Sequence, residues 1–159
     1  MKGGESAIQK EIRQRKPFRS RRQEGNLALL RTADLLRRAG ERLVQPHGIT
    51  GQQYNVLRIL RGAGSEGLPT LEIAERMIEQ SPGITRLLDR LDAKKLVRRE
   101  RSAHDRRQVL CYITPPGREL LEKLDEPVNQ LDDTNLGMLS AADVDRLVRI
   151  LDAIRAAHR

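Results

Sequence analysis

The sequence predicts a mainly α-helical protein that carries one small β-hairpin. Three observations make that prediction. Aromatic residues are 2% of the chain, with no tryptophan and Phe18 as the lone phenylalanine. A core must then be assembled from leucine, isoleucine, valine and alanine, which suits packed helices better than an all-β sandwich. Apolar residues recur at helical spacing along most of the chain. The stretch "RRERSAHDRRQVLCYIT" breaks that pattern, with two strand-like runs around a polar turn. At 159 residues and 38% hydrophobic content, the chain fits a single domain with a real core.

Each element follows from its own signals. Residues 1–22 form a basic, polar arm interrupted by Pro17, expected to be either disordered or a short docked helix. From about 24 to 44, Leu27, Leu30, Ala33, Leu36, Leu43 and Val44 follow a helical pattern, and Leu29 and Leu35 add apolar residues off that stripe. A helix apolar on more than one face is expected to be buried on more than one face. After "QPHGIT", Thr50 caps a second helix carrying Tyr54, Val56, Leu57, Ile59 and Leu60, and the glycines of "RGAGSEG" mark a loop. Thr70 opens a short helix, "LEIAERM". Ser81 as N-cap and Pro82 at the first helical position then start a helix that buries Ile84, Leu87, Leu88 and Leu91. "LVRRERS" and "RQVLCYIT" read as strands joined by a turn at 102–105, with Val109, Cys111 and Ile113 on one face. Thr114-Pro115 caps a helix bearing Leu120, Leu121, Leu124, Val128 and Leu131. Ser140 and Asp143 resemble a capping box that opens a last helix burying Val144, Leu147, Val148, Leu151 and Ile154.

The formal net charge of +8 is unevenly spread. Residues 1–26 carry +5 and residues 86–107 another +5, residues 27–85 carry +1, and residues 108–159 carry −3. Like charges at the density of Arg98, Arg99, Arg101, Arg106 and Arg107 repel one another, so either solvent screens them or a polyanion approaches. Two basic blocks on an otherwise balanced chain point to a nucleic acid or another anionic surface.

The order of elements supplies a frame for that partner. A short helix, a tight connection of three or four residues and a second helix make a helix-turn-helix unit, and the hairpin that follows makes it winged. The second helix of such a unit enters the major groove with its N-terminal residues. That puts Gln80, Ser81, Pro82, Gly83, Thr85, Arg86 and Arg90 at double-stranded DNA. Arg86 is placed to make a bidentate contact with a guanine edge. Arg106 or Arg107 at the hairpin tip suits a narrow minor groove, with Asp105 holding Arg107 in place, and Arg98, Arg99 and Arg101 face phosphates.

The run "GITGQQYNVLRIL…LEIAERM…SPGITRLLDRLDAKKLVRRERSAHDRRQVLCYITPPGREL" resembles the MarR family of winged-helix transcription regulators over roughly residues 25–155. Its most specific part is "DRR" at 105–107, followed by "IT" at 113–114 and Gly117. The resemblance implies that Asp105 and Arg107 shape the wing tip and that "SPGITRLLDRL" is the recognition helix. It divides the chain into the arm, 1–22, and one domain, 23–159. That domain has a winged helix-turn-helix at about 50–114 and dimerisation helices at about 24–46 and 115–157. It also implies a homodimeric repressor of a palindromic operator and a small-molecule effector, often an aromatic anion. Tyr54 is the sole aromatic near the expected effector pocket. The family often has a glycine in the helix-turn-helix connection where this chain has Ile78, followed by Glu79.

Other chemistries find little footing. No triad, phosphate-cradling glycine loop or cofactor fingerprint stands out, so neither an enzyme nor a cofactor is expected. His47, His104 and His158 are scattered, so no metal is expected. Cys111, the single cysteine, sits in an apolar strand and reads as an inert buried thiol in a reducing cytoplasm. No apolar run spans a bilayer, and "MKGGESAIQKEIRQRK" lacks a secretory apolar segment, so a cytoplasmic, membrane-free location is expected. Two other readings share the same features: an architectural DNA binder of low specificity, and a winged helix whose basic face serves an acidic protein.

Overall fold

The computed structural model describes residues 6–80, 83–102 and 108–158. The chain divides into two compact units, Met1–Ala39 and Gly40–Arg159. In the first, a short helix α1 (Ala7–Glu11) is capped by Ser6, whose hydroxyl accepts from the Gln9 N–H. It ends before Arg13, which takes a left-handed φ of 54°. Helix α2 (Arg21–Val44) starts earlier than the apolar periodicity suggests, because the Ser20 hydroxyl accepts from the Gln23 N–H. Its expected burial on several faces is not met within the single chain. Val44 is its only buried residue, while Leu30, Leu35 and Leu36 are exposed.

The second unit holds the core. A 3₁₀ turn (Gln45–His47) ends at Gly48 with φ 74°, and Thr50 then makes a full capping box with Gln53 to start α3 (Gly51–Gly62). Strand β1 (Leu68–Pro69) runs directly into α4 (Thr70–Arg76). Next come α5 (Ile84–Ala93), strands β2 (Val97–Arg101) and β3 (Val109–Ile113), α6 (Pro115–Leu136) and α7 (Ala141–Ala156). Val56, Leu57, Leu60, Ile73, Leu88, Leu91, Val97, Cys111, Leu121 and Leu124 are fully buried in one cluster. Aliphatic burial on this scale contributes about 1.5–3 kcal/mol per large side chain.

The hairpin is larger than its two predicted strands. Leu68 pairs with Cys111 and Pro69 with Leu110, which makes a three-stranded antiparallel sheet in the order β1-β3-β2. A two-residue strand containing proline carries almost no strand signal, so the sequence reads it as the approach to α4.

Two sequence expectations need correction at helix starts and connections. Helix α5 begins at Ile84 with Gly83 at the capping position and no side-chain cap; Ser81 and Pro82 lie outside the described residues. Helix α4 ends at Arg76 and residues 77–80 and Gly83 all lie outside both helices, more than the three or four residues expected between them. The connection needs no glycine at 78. Ile78 is not among the positive-φ residues, and its N–H donates to the Asn55 side chain at 2.9 Å. Gln52 also donates to Glu79 at 3.2 Å, so α3 supports the connection from below.

A junction locks the wing to α6. The Thr114 hydroxyl accepts from the Gly117 N–H and donates to the Lys95 carbonyl at 2.7 Å. Lys95 itself terminates α5 in the left-handed region, φ 58°, with the Leu96 N–H returning to the Leu91 carbonyl. A Cβ on Gly117 would lie 2.3 Å from the Leu96 carbonyl oxygen, so only glycine lets α6 approach this closely.

Burial then fades along the C-terminal helices. In α6, Gly117, Leu121 and Leu124 are buried, whereas Val128 and Leu131 beyond the internal Pro127 are half-buried. The expectation that α7 buries its apolar stripe is overturned in the single chain. None of its residues is buried; Val144, Leu147 and Leu151 are half-buried, and Val148, Ile150 and Ile154 are 50%, 51% and 42% exposed. Its predicted cap is present, with Ser140 accepting from the Asp143 N–H.

Candidate nucleic-acid interface

Helix α5 has two chemically distinct sides. Leu87, Leu88 and Leu91 are buried, whereas Thr85, Arg86, Asp89 and Arg90 are exposed, as is Gln80 ahead of the helix. Arg86 and Arg90 pair with no carboxylate among the described residues. Gly83 is half-buried at the helix start. At the other end, the Lys94 ammonium donates to the Gly48 carbonyl, tying α5 to the turn before α3.

The wing arginines divide by strand alternation. Val97, Arg99 and Arg101 share one face of β2, and Val97 is buried, so that face turns toward the core. Arg99 accordingly points inward and forms an ion pair with Asp89 of α5; its side chain is 25% exposed. Its Nε is enclosed without a hydrogen-bond partner. Arg98, on the opposite face, lies 4.1 Å over the ring of its cross-strand neighbour Tyr112 and pairs with Glu100. Arg101 is exposed near the wing end, where the Ser102 N–H donates to the Gln108 carbonyl at 2.9 Å and closes the hairpin. Asp105, Arg106 and Arg107, assigned to the wing tip, lie outside the described residues, as does His104.

An open cleft runs between the start of α4, the first turn of α5 and the wing, lined by Pro69, Thr70, Leu71, Thr85, Arg99 and Gln108. Beneath it, Cys111 is fully buried, with the Thr70 hydroxyl 3.9 Å from its sulfur. Burial pushes its thiol pKa up, which favours the protonated form. Among the described residues no three metal-ligating side chains converge, and no helix is long and apolar enough to cross a membrane.

The exposed acid of α5 escaped the sequence reading. Asp89 stands on the same side as Arg86 and Arg90, and Arg99 compensates its charge. The usable signal was the alternation from Val97: once that valine is assigned to the core, Arg99 must follow it inward.

A three-helix core, a supported helix-turn-helix and a three-stranded wing with a basic exposed helix define the winged helix-turn-helix regulators. The MarR family model matches residues 47–108, spanning the helix-turn-helix and the wing as far as the residue before β3. A MarR transcription factor from Planctomyces limnophilus is 41% identical, with a TM-score of 0.66, over 86% of this chain and 99% of that one. The chain belongs to the MarR family, whose members are transcription regulators rather than enzymes. BpsR of Bordetella bronchiseptica, whose DNA binding is regulated by 6-hydroxynicotinic acid, is 25% identical with a TM-score of 0.72, over 84% of this chain and 98% of its own. The regulator TtmR of Methylorubrum extorquens is 40% identical over 98 residues, which are 62% of this chain and 49% of that protein. This chain thus spans about half the length of TtmR.

Proposed function

We propose that the protein is a sequence-specific double-stranded DNA-binding regulator that acts as a homodimeric repressor on a palindromic operator. The observation that carries the reading is the exposed side of α5: Thr85, Arg86 and Arg90 are free to meet DNA, while Arg99 neutralises the one acid among them, Asp89. Arg86 suits a guanine edge, and Gln80, Gly83 and Arg90 suit the groove walls and phosphates. In the wing, Arg101, Arg106 and Arg107 are assigned to the backbone or minor groove. Arg99 acts through Asp89 rather than on phosphate, and Arg98 reaches phosphate only by leaving Glu100.

The dimer reading is supported by the uncovered apolar residues of α7 and of α2. Val148, Ile150 and Ile154 need a partner surface, as do Leu30, Leu35 and Leu36. A two-fold dimer presents two recognition helices about 34 Å apart, so half-sites should be about one helical turn apart. Repression then follows from occupying a promoter.

Effector control is supported by the regulated DNA binding of BpsR and by the cleft that opens on Arg99. A small carboxylate there would compete with Asp89 for the exposed part of the Arg99 guanidinium, loosening the wing from the recognition helix.

Selection from a random duplex library, followed by anisotropy on the winner and on a scrambled duplex across a salt series, tests the function. A palindromic winner bound about a thousandfold tighter than the scramble supports it. Equal binding with a steep salt slope favours an architectural role, and no binding at low salt favours a protein partner.

A further inference from the structure

The basic segment between α1 and α2 is a built structure. Gln9 donates its side-chain amide to the carbonyls of Gln14 and Lys16, at 3.2 and 3.4 Å, and Gln14 donates to the Lys16 carbonyl at 2.8 Å. Arg13 makes the reversal in the left-handed region. On the far side, the Arg19 N–H donates to the Gln23 side chain at 2.7 Å, and Ser20 caps α2. The result is a hydrogen-bonded hook.

Its charges are unbalanced. The acids of the segment are already engaged, Glu11 by Arg31 and Glu24 by Arg21. Arg13, Arg15, Lys16, Arg19 and Arg22 are all exposed and pair with no carboxylate among the described residues. A structured loop that concentrates free cations opposes its own folding by repulsion unless a polyanion relieves it. Four of these five are arginines, whose planar fork suits phosphate oxygens. A protein partner would call for apolar anchors. Between 13 and 22 the chain has only Pro17 and Phe18, and Phe18 is half-buried.

We propose that this hook is a second nucleic-acid contact, a preorganised grip on DNA phosphates that is blind to sequence and built from residues other than those of α5 and the wing. The inference rests on the DNA-binding reading above. It assigns to the hook affinity and salt dependence, and no part in choosing the site.

The test compares the full chain with the variant Arg15→Gln, Lys16→Gln, Arg19→Gln, Arg22→Gln on the selected and scrambled duplexes over a salt series. These side chains make none of the hook's hydrogen bonds, so the fold is retained, and circular dichroism checks it. The slope of log affinity against log salt should fall on both duplexes by up to about 3.6 for each hook engaged, because each of the four lost phosphate contacts removes about 0.9. The preference for the selected duplex should stay within about twofold. A second variant, Gln9→Ala, keeps every cation but frees the loop; the slope should persist while affinity drops about two- to fivefold as ordering is deferred to binding.

An unchanged slope in the fourfold variant overturns the hook contact. So does an unchanged slope accompanied by a weaker dimer, which would assign the cations to the acidic C-terminal third of a second copy. If the intact chain binds both duplexes equally and the variant's slope still falls, the hook stands and the operator reading fails. No binding by the intact chain at low salt overturns both.

Discussion

The Arg99 guanidinium of the wing closes on the Asp89 carboxylate of α5, so the wing and α5 are joined by an ion pair. Because Asp89 shares its side of α5 with Arg86 and Arg90, the pair also removes a negative charge from the surface that would face a polyanion.

That arrangement predicts coupling. Arg99→Ala should weaken operator binding several-fold, by exposing Asp89 and freeing the wing, and adding Asp89→Asn should restore part of the loss. A coupling of about 0.5–1 kcal/mol is expected for a partly exposed pair. Strictly additive effects in a double-mutant cycle measured by anisotropy would remove Asp89 from the argument.

Arg86→Ala should cost about 1–3 kcal/mol of operator affinity and relax preference at one base position. A second round of duplex selection with the variant reads this out. Loss shared equally by all sequences would reassign Arg86 to a phosphate.

Gly117→Ala sets two effects of opposite sign against each other. Alanine raises helix propensity by about 1 kcal/mol, but its methyl must displace the Leu96 carbonyl at 2.3 Å and the Ile113 side chain at 2.8 Å. Backbone yields poorly, so a net loss of about 1–3 kcal/mol is expected. Urea denaturation measures it, and a variant as stable as the parent would mean that the junction gives way.

Acid should loosen α6 from α3. Arg61 bonds Asp125 through two 2.8 Å contacts and holds its carboxyl below the ordinary carboxylate range. A carboxylate with a lowered folded pKa stabilises above its unfolded value, near 4, and that stability disappears as pH falls through the folded value. The pair is partly exposed, so its worth is no more than about 1 kcal/mol. Asp125→Asn should therefore destabilise at pH 7 and leave stability near pH 2 unchanged, as followed by thermal melts at both.

Much of the fold was legible because its signals are local. Thr50, Thr114 and Ser140 cap the helices they were expected to cap, and Leu87, Leu88 and Leu91 mark the buried side of α5. The misses involve relations across the chain. Strand β1 exists only because Leu68 and Pro69 find β3 more than forty residues later. The α7 stripe reads as core, yet a periodic stripe says that a face must be covered without saying by which chain. Of the site, Arg86 and Arg90 stand where their spacing puts them, whereas Arg98 and Arg99 look alike in sequence and are separated by one step of strand alternation.

The scarcity of aromatic residues gives the molecule a built-in optical reporter. With no tryptophan and two tyrosines, its near-ultraviolet emission comes from Tyr54, in the α3 scaffold, and Tyr112, in the wing. Arg98 covers the Tyr112 ring at 4.1 Å, while Arg58 stands 5.8 Å from Tyr54. Drawing Arg98 away to a phosphate would uncover one fluorophore and leave the other as an internal reference. Wing engagement should thus be visible in unlabelled protein, with Tyr54→Phe isolating the signal.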